Sequence, residues 1–187
     1  MKDMIKLGAV LMLFAGVFAG ILAFVNNQTK PVIAANAAAE QQLAFREVLP
    51  GEEYLDITAD SATLMQDYST VTNVIKVTGE NNVSAGYIIG VAPRGYSSNL
   101  VTLVGIDDAG EIAAVKVVSQ NETPGLGTHV QAPWFQDQFK GLTVDDNVAV
   151  KQDGGDLDAI TASTISSRAV AIGASEALQL HRDLKNK

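Results

Sequence analysis

Two short segments of this chain concentrate side chains that could do chemistry. The first is Asp156-Leu157-Asp158-Ala159-Ile160-Thr161-Ala162-Ser163-Thr164-Ile165-Ser166-Ser167-Arg168. Thr161, Ser163, Thr164, Ser166 and Ser167 crowd hydroxyls at the entrance to a predicted helix, where unpaired N–H groups and the positive end of the dipole favour a phosphate. The same residues also suit a plain N-cap with surplus capping side chains. The second segment is Asn121-Glu122-Thr123-Pro124-Gly125-Leu126-Gly127-Thr128-His129. Proline and glycine let backbone N–H groups approach a flat or anionic ligand, and Glu122 and Thr123 add polar contacts. A purely structural turn would have the same composition, so both readings stand for each segment.

Other chemistries are excluded by what is missing. No G-x-S-x-G elbow, H-E-x-x-H pair or G-x-x-x-x-G-K-[ST] loop occurs, and Gly125-Leu126-Gly127 is too short for a dinucleotide fingerprint. There is no cysteine, which removes disulfides, thiolate-held iron–sulfur clusters and a thiol nucleophile. His129 and His181 lie far apart in sequence, so no metal site is expected. A formal net charge of −8 denies nucleic acid the basic footprint it needs. Sequons at Asn27, Asn82 and Asn121 match N-x-[ST], a pattern that needs a glycosylating host to matter.

The elements that must position these segments follow a membrane anchor. Leu7 to Val25 runs 19 residues without a charge, and a helix of that length spans roughly 28 Å, a bilayer core. Val17 and Ala19, or Ala35 and Ala37, offer signal-peptidase spacings, but the apolar run exceeds a cleavable h-region and reads as an uncleaved anchor. Lys2 and Lys6 place the preceding end in the cytoplasm and the rest outside it. Beyond residue 30, 10 basic and 20 acidic side chains leave −10 on 157 residues, enough chain for one well-buried core. That acidity either holds the domain off anionic lipid or simply keeps it soluble.

A helix is predicted from about Pro31 to Val48, either as a stalk continuing the anchor or packed on the domain, and it stops at Pro50-Gly51. An irregular stretch follows. Strands are predicted at Val71–Val77, Ala85–Val91, Leu100–Ile106 and Ile112–Val118, the last two joined through Asp107-Asp108-Ala109-Gly110 as a hairpin. A short helix at Ala132–Phe139 and a final helix from Ser163 or Thr164 to Leu184 complete an α+β domain with an antiparallel sheet and flanking helices. The final helix sets Ile165, Ala169, Ile172 and Glu176 on one stripe and Val170, Ala174 and Ala177 on the next.

The segment D-A-I-T-A-S-T, Asp158 to Thr164, resembles the flavinylation motif D-x-x-[ST]-G-A-T of the FMN-binding domains in the Rnf and Nqr electron-transport complexes. E-T-P-G-L-G, Glu122 to Gly127, followed by W-F-Q-D-Q-F-K-G, Trp134 to Gly141, is similar to a second segment of those families. With the anchor, the resemblance covers nearly the whole chain. It implies that a flavin transferase, recognising Asp158, Thr161 and Thr164, attaches FMN through its phosphate to the Thr164 hydroxyl. Ala162 stands where the family has Gly, and Ser163 where it has Ala; the first restricts the backbone and the second adds a rival hydroxyl. The implied cofactor-binding residues are Thr161, Ala162, Ser163, Thr164 and Ile165, with Glu122, Thr123, Leu126 and Gly127 for the flavin ring or ribityl chain. No catalytic residue acting on substrate is implied.

Beside that site, Trp134 next to Phe135 and Phe139 is expected to anchor the core rather than stack on flavin. Lys140 is expected on the solvated surface, and Arg168 pairs with either the phosphate or a nearby acid. The short chain resembles the RnfG family of the Rnf complex more than the longer NqrC family of the Nqr complex. The resemblance implies an electron-carrier flavoprotein within an ion-translocating oxidoreductase of the cytoplasmic membrane, which couples ferredoxin and NAD to Na⁺ or H⁺ movement. Other subunits would complete the catalyst. The alternatives are an Nqr-type subunit donating toward quinone and a non-redox membrane-tethered binding or assembly module. The expected organisation is residues 1–6 cytoplasmic, 7–25 anchor, 26–50 stalk or packing helix, and 51–187 extracytoplasmic FMN-binding domain.

Overall fold

A computed structural model describes residues 2–80 and 83–186, and the sequon at Asn82 lies outside them. Contacts divide the chain into Met1–Gln42 and Leu43–Lys187.

The first unit is the greater part of one helix, α1 (Lys2–Val48). Leu7, Leu11, Phe14, Phe18, Leu22 and Phe24 all stand more than half exposed around it. A helix that is apolar on every side has no face suited to water, and its internally satisfied backbone suits lipid. Among the described residues it is the one helix long and apolar enough to cross a membrane. The predicted helix start at Pro31 is corrected, because Pro31 lies inside α1. Proline removes a single i→i−4 bond, and the apolar run before it and the alanine-rich run after it both favour helix strongly enough to continue.

The second unit is built on a five-stranded antiparallel sheet in sequential order: β1 (Glu53–Asp56), β2 (Val71–Thr78), β3 (Ser84–Val91), β4 (Val101–Asp107) and β5 (Ile112–Ser119). The β4–β5 hairpin is closed by the Asp107 carboxylate, which accepts the N–H groups of Ala109 at 2.9 Å and Glu111 at 3.0 Å. Each strand reverses its side chains residue by residue, so both sheet faces can be apolar where both are covered. One face presents Ile75, Val77, Ile88 and Leu103 to Ala44, Phe45, Val48 and Leu49 at the end of α1. That end of the helix therefore packs, and Lys116 on β5 also pairs with Glu47.

The opposite face carries the larger core. Val74, Ile89, Val104 and Ile106 meet the final helix, α4 (Thr164–Lys185), through Ala169, Val170, Ala174, Ala177 and Leu178. Small side chains at those positions let the helix backbone approach the sheet. Of the two stripes expected, the Val170/Ala174/Ala177 stripe is buried and takes Ala169 with it, whereas Ile165 and Ile172 face outward. Glu176 is held at the start of β2, its carboxylate accepting the Thr70 N–H at 2.8 Å and the Thr70 hydroxyl at 2.7 Å.

Between residues 51 and 70, expected to be irregular, the chain forms β1 and α2 (Thr58–Met65). Four mostly exposed residues, Glu53-Tyr54-Leu55-Asp56, carry too little alternation to announce a strand, and pairing with β2 makes it one. The helix expected at Ala132–Phe139 is a single α-turn, α3 (Pro133–Gln136), followed by a 3₁₀ turn at Asp137–Phe139.

Phe45 is almost fully buried and stacks on Tyr54 with ring centroids 5.6 Å apart. Replacing it with alanine is expected to lower unfolding free energy by about 3 kcal/mol. Urea denaturation checks this; a loss below about 1 kcal/mol would mean the end of α1 contributes little to this core.

Candidate functional site

Three segments converge on the first turn of α4: residues 92–100 between β3 and β4, residues 120–132 after β5, and residues 156–163 leading into the helix. Together they enclose a cleft of about 570 Å³, lined by Tyr96, Glu122, Thr123, Leu126, Gly127, Ala162, Ser163, Thr164, Ile165 and Ser166. That is the size range of cofactor pockets.

Glu122 is the joint. Its residue is 6% exposed, and a buried carboxylate is tolerated only when donors replace its water. One oxygen accepts the N–H groups of Ser97 at 2.9 Å and Ser98 at 3.1 Å. The other accepts the Tyr96 N–H at 3.3 Å and the Ser166 hydroxyl at 2.6 Å. Burial pushes this carboxyl's pKa up, but the Ser166 hydroxyl and the three backbone N–H groups outweigh it and hold it below its ordinary 4.5. Gly95 and Gly127 close around it. A Cβ on Gly95 would lie 2.8 Å from the carboxylate oxygen, and one on Gly127 2.6 Å from the Glu122 Cβ. These two positions require glycine because of that approach.

The chain entering α4 is equally constrained. The Ile160 N–H donates to the Ser167 hydroxyl at 2.9 Å, and that hydroxyl donates back to the Ser163 carbonyl at 3.0 Å. Ser163, buried, donates its hydroxyl to Ser166 at 3.2 Å, which continues to Glu122. Ala162 sits at φ +60°, a left-handed conformation that costs an L-residue roughly 1–2 kcal/mol. Despite five nearby hydroxyls, no side chain caps the N-terminus of α4. The surplus-cap reading is corrected: Ser163, Ser166 and Ser167 are committed to one another, to Glu122 and to Ile160. Helix geometry gives the N–H groups of Thr164, Ile165 and Ser166 no intrahelical acceptor, and these residues line the cleft, Ile165 exposed and Ser166 buried.

Of the residues expected at the site, Glu122, Thr123, Leu126, Gly127, Ala162, Ser163, Thr164 and Ile165 line the cleft, whereas Thr161 does not. Asp158 is exposed and turned away, its carboxylate 2.7 Å from Lys151 Nζ and its backbone clasped by the Gln138 amide. Arg168 pairs with an acid: its guanidinium donates to Asp153 at 2.5 and 2.8 Å. Phe135 and Phe139 are core, but Trp134 is 53% exposed and rests edge-on against Phe135. The core-anchor expectation for it is corrected. The two phenylalanines already fill the space beneath α3, so the larger ring is displaced outward. Lys140 is exposed. The sequence reading passed over Tyr96, whose signal is an aromatic in a Pro93-Arg94-Gly95-Tyr96-Ser97-Ser98 turn.

Glu122→Gln turns one acceptor oxygen into a donor facing N–H groups and is expected to cost about 2 kcal/mol at neutral pH. Because the folded-state pKa is depressed, the carboxylate's contribution is fully present above 4.5 and is lost as pH falls through the lower folded value. The gap between wild type and variant in denaturation should therefore narrow on acidification below 4.5; a gap constant with pH would contradict the assignment. Ala162→Gly should raise stability by about 0.5–1 kcal/mol, the relief of the left-handed strain less the entropy glycine adds to the unfolded chain. Thermal unfolding checks that sign.

The FMN-binding domain family model matches residues 95–179, and the RnfG N-terminal region matches residues 1–48. The chain is 36% identical to the G subunit of the ion-translocating oxidoreductase complex of Escherichia coli (strain K12), over 91% of this chain and 87% of that protein. The protein of the same name from Shewanella baltica is 32% identical over 90% of this chain and 84% of its own length. The fold is shared with the crystal structure of Shewanella oneidensis NqrC, at TM-score 0.55 and 18% identity over 78% of this chain and 88% of that one. It is also shared with the C subunit of the Na⁺-translocating NADH-quinone reductase of Parabacteroides distasonis, at TM-score 0.50 and 21% identity over 76% and 82%. Those two structures speak to the fold alone. The long apolar helix, the cleft at the head of α4 and these sequence matches agree, and the chain belongs to the RnfG family of ion-translocating oxidoreductase complex subunits.

Proposed function

We propose that this chain is the FMN-carrying electron relay of an Rnf-like ion-translocating oxidoreductase, with FMN held covalently by a phosphoester to Thr164. The supporting observation is the head of α4: Thr164 lines the cleft and the adjoining N–H groups have no side-chain cap. A phosphodiester carries one negative charge, which the N–H groups at a helix start can solvate. The flavin supplies the redox chemistry; the protein supplies the tether and the surroundings. Glu122 does not bind the phosphate in this account, since its carboxylate would repel an anion and already has four donors. It holds the walls.

The hydroxyls near the tether differ in access. Ser163 is buried and engaged, so it is a poor competitor for attachment despite its place beside Thr164. Asp158 and Thr161 are exposed, which suits recognition by a flavin transferase rather than contact with the bound cofactor. A covalent tether keeps the flavin in place where free FMN is scarce, converting binding into a permanent local supply.

Residues 7–25 form the anchor in this reading, with residues 1–6 in the cytoplasm, 26–50 extending the helix to the domain, and 51–187 forming the FMN-binding domain on the far side of the cytoplasmic membrane. Lys2 and Lys6 before the apolar run support that orientation. One span cannot enclose an ion path, so the complex requires subunits with more membrane helices. The subunit relays electrons and is not a complete catalyst alone.

The test is intact mass with peptide mapping of the full chain co-expressed with a flavin transferase. FMN less water, roughly 438 Da, is expected on Thr164. Thr164→Val should abolish the adduct and Ser163→Ala should retain it. No adduct on wild type, with a transferase active on a control protein, would favour the tethered-module reading.

A further inference from the structure

The chain has four tyrosines, and three are absorbed into its packing. Tyr54 stacks on Phe45, Tyr68 donates its hydroxyl to Asp183 at 2.6 Å, and Tyr87 meets His181 edge-on with centroids 5.5 Å apart. Tyr96 differs. It is 68% exposed, lines the cleft, and has no aromatic neighbour among the described residues. Its backbone is nonetheless held by hydrogen bonds within the loop and to its neighbours. Its N–H donates to Glu122, Gly95 N–H donates to the Ser98 carbonyl at 2.8 Å, and Leu100 N–H donates to the Pro93 carbonyl at 2.9 Å. The Asn121 N–H donates to the Ser98 hydroxyl at 2.8 Å, so this loop is also pinned to the one that follows β5.

A large aromatic ring exposed from a fixed backbone, in a cleft shared with the exposed apolar side chains Leu126 and Ile165, is a surface prepared for a flat partner. Aromatic faces bury area and favour offset stacking on another π-system. The cofactor carries such a system at the end of its ribityl chain.

Resting on the reading of FMN at Thr164, we propose that Tyr96 is the ring-contacting residue of the site, stacking on the isoalloxazine and fixing where the tethered flavin lies. Glu122 is its positioning residue, because the carboxylate that receives the Ser166 hydroxyl at the head of α4 also receives the Tyr96 N–H. Tether and stacking surface are thereby held from a single side chain. The assignment gives the buried Glu122–Ser166 link a purpose that capping alone does not.

The experiment uses the full chain co-expressed with a flavin transferase and purified in detergent, as wild type, Tyr96→Ala, Tyr96→Phe and Trp134→Ala. Intact mass first establishes flavin loading for each. Time-resolved flavin emission and visible absorption are then read on the loaded proteins. A stacked tyrosine quenches flavin emission, whereas phenylalanine stacks without quenching. Wild type should have a short emission lifetime, and Tyr96→Ala a several-fold longer one with absorption moved toward that of free FMN. Tyr96→Phe should lengthen the lifetime while keeping the wild-type absorption, and Trp134→Ala should match wild type. A loaded Tyr96→Ala protein with unchanged lifetime and absorption overturns the proposal, as does lengthening on loss of Trp134 instead. If wild type carries no adduct, the mass shows it before any emission is read, and the reading at Thr164 fails along with this one.

Discussion

A carboxylate taken out of water must find donors for both its oxygens, and Glu122 finds them on two separate parts of the chain. Three are backbone N–H groups of the loop between β3 and β4, and the fourth is a hydroxyl on the first turn of α4. Loss of any of these would leave charge poorly solvated in the interior, so the arrangement is held as a unit. The glycines at 95 and 127 are present because the loops come close enough around this side chain to leave no room for a Cβ. The cleft exists because the three segments are drawn together there.

From that joint the consequences run outward. The sheet is covered on both faces, by α4 on one and by the end of α1 on the other, which fixes α4 firmly enough for its N-terminus to act as a site rather than a fraying end. The hydroxyls of Ser163 at the start of α4 and of Ser166 and Ser167 within its first turns are spent holding Ile160, Ser163 and Glu122 together. Their engagement leaves the helix start uncapped and Thr164 at the cleft wall. Ala162 holds a left-handed turn that glycine would hold without strain, and strain of this kind tends to collect where a local geometry serves function.

Much of this was legible in the sequence. β-branched runs marked β2 to β5, the Asp-Asp-Ala-Gly group marked the hairpin, and the hydroxyl-rich D-A-I-T-A-S-T segment marked the helix start that lines the cleft. What was not legible depended on partners distant in sequence. β1 is a strand because β2 lies beside it, Trp134 is outside because Phe135 and Phe139 fill the inside, and Ile165 and Ile172 face out because alanines elsewhere on the helix fit the sheet better. Glu122 read as a ligand-contacting side chain; that its oxygens would be consumed by Tyr96, Ser97, Ser98 and Ser166 requires knowing how two loops and a helix meet. Pro31 read as a helix start, a local rule overridden by strong helix formers on both sides.

If Thr164 carries the cofactor, its phosphate sits at the head of α4. Amide hydrogen exchange at Thr164 and Ile165, resolved by NMR before and after flavinylation, is the direct test. Rapid exchange is expected at these two N–H groups in the unmodified protein and marked protection once the flavin is attached, with the interior of α4 unchanged. A fully flavinylated protein whose two amides exchange as freely as before would contradict attachment of the phosphate at this helix start.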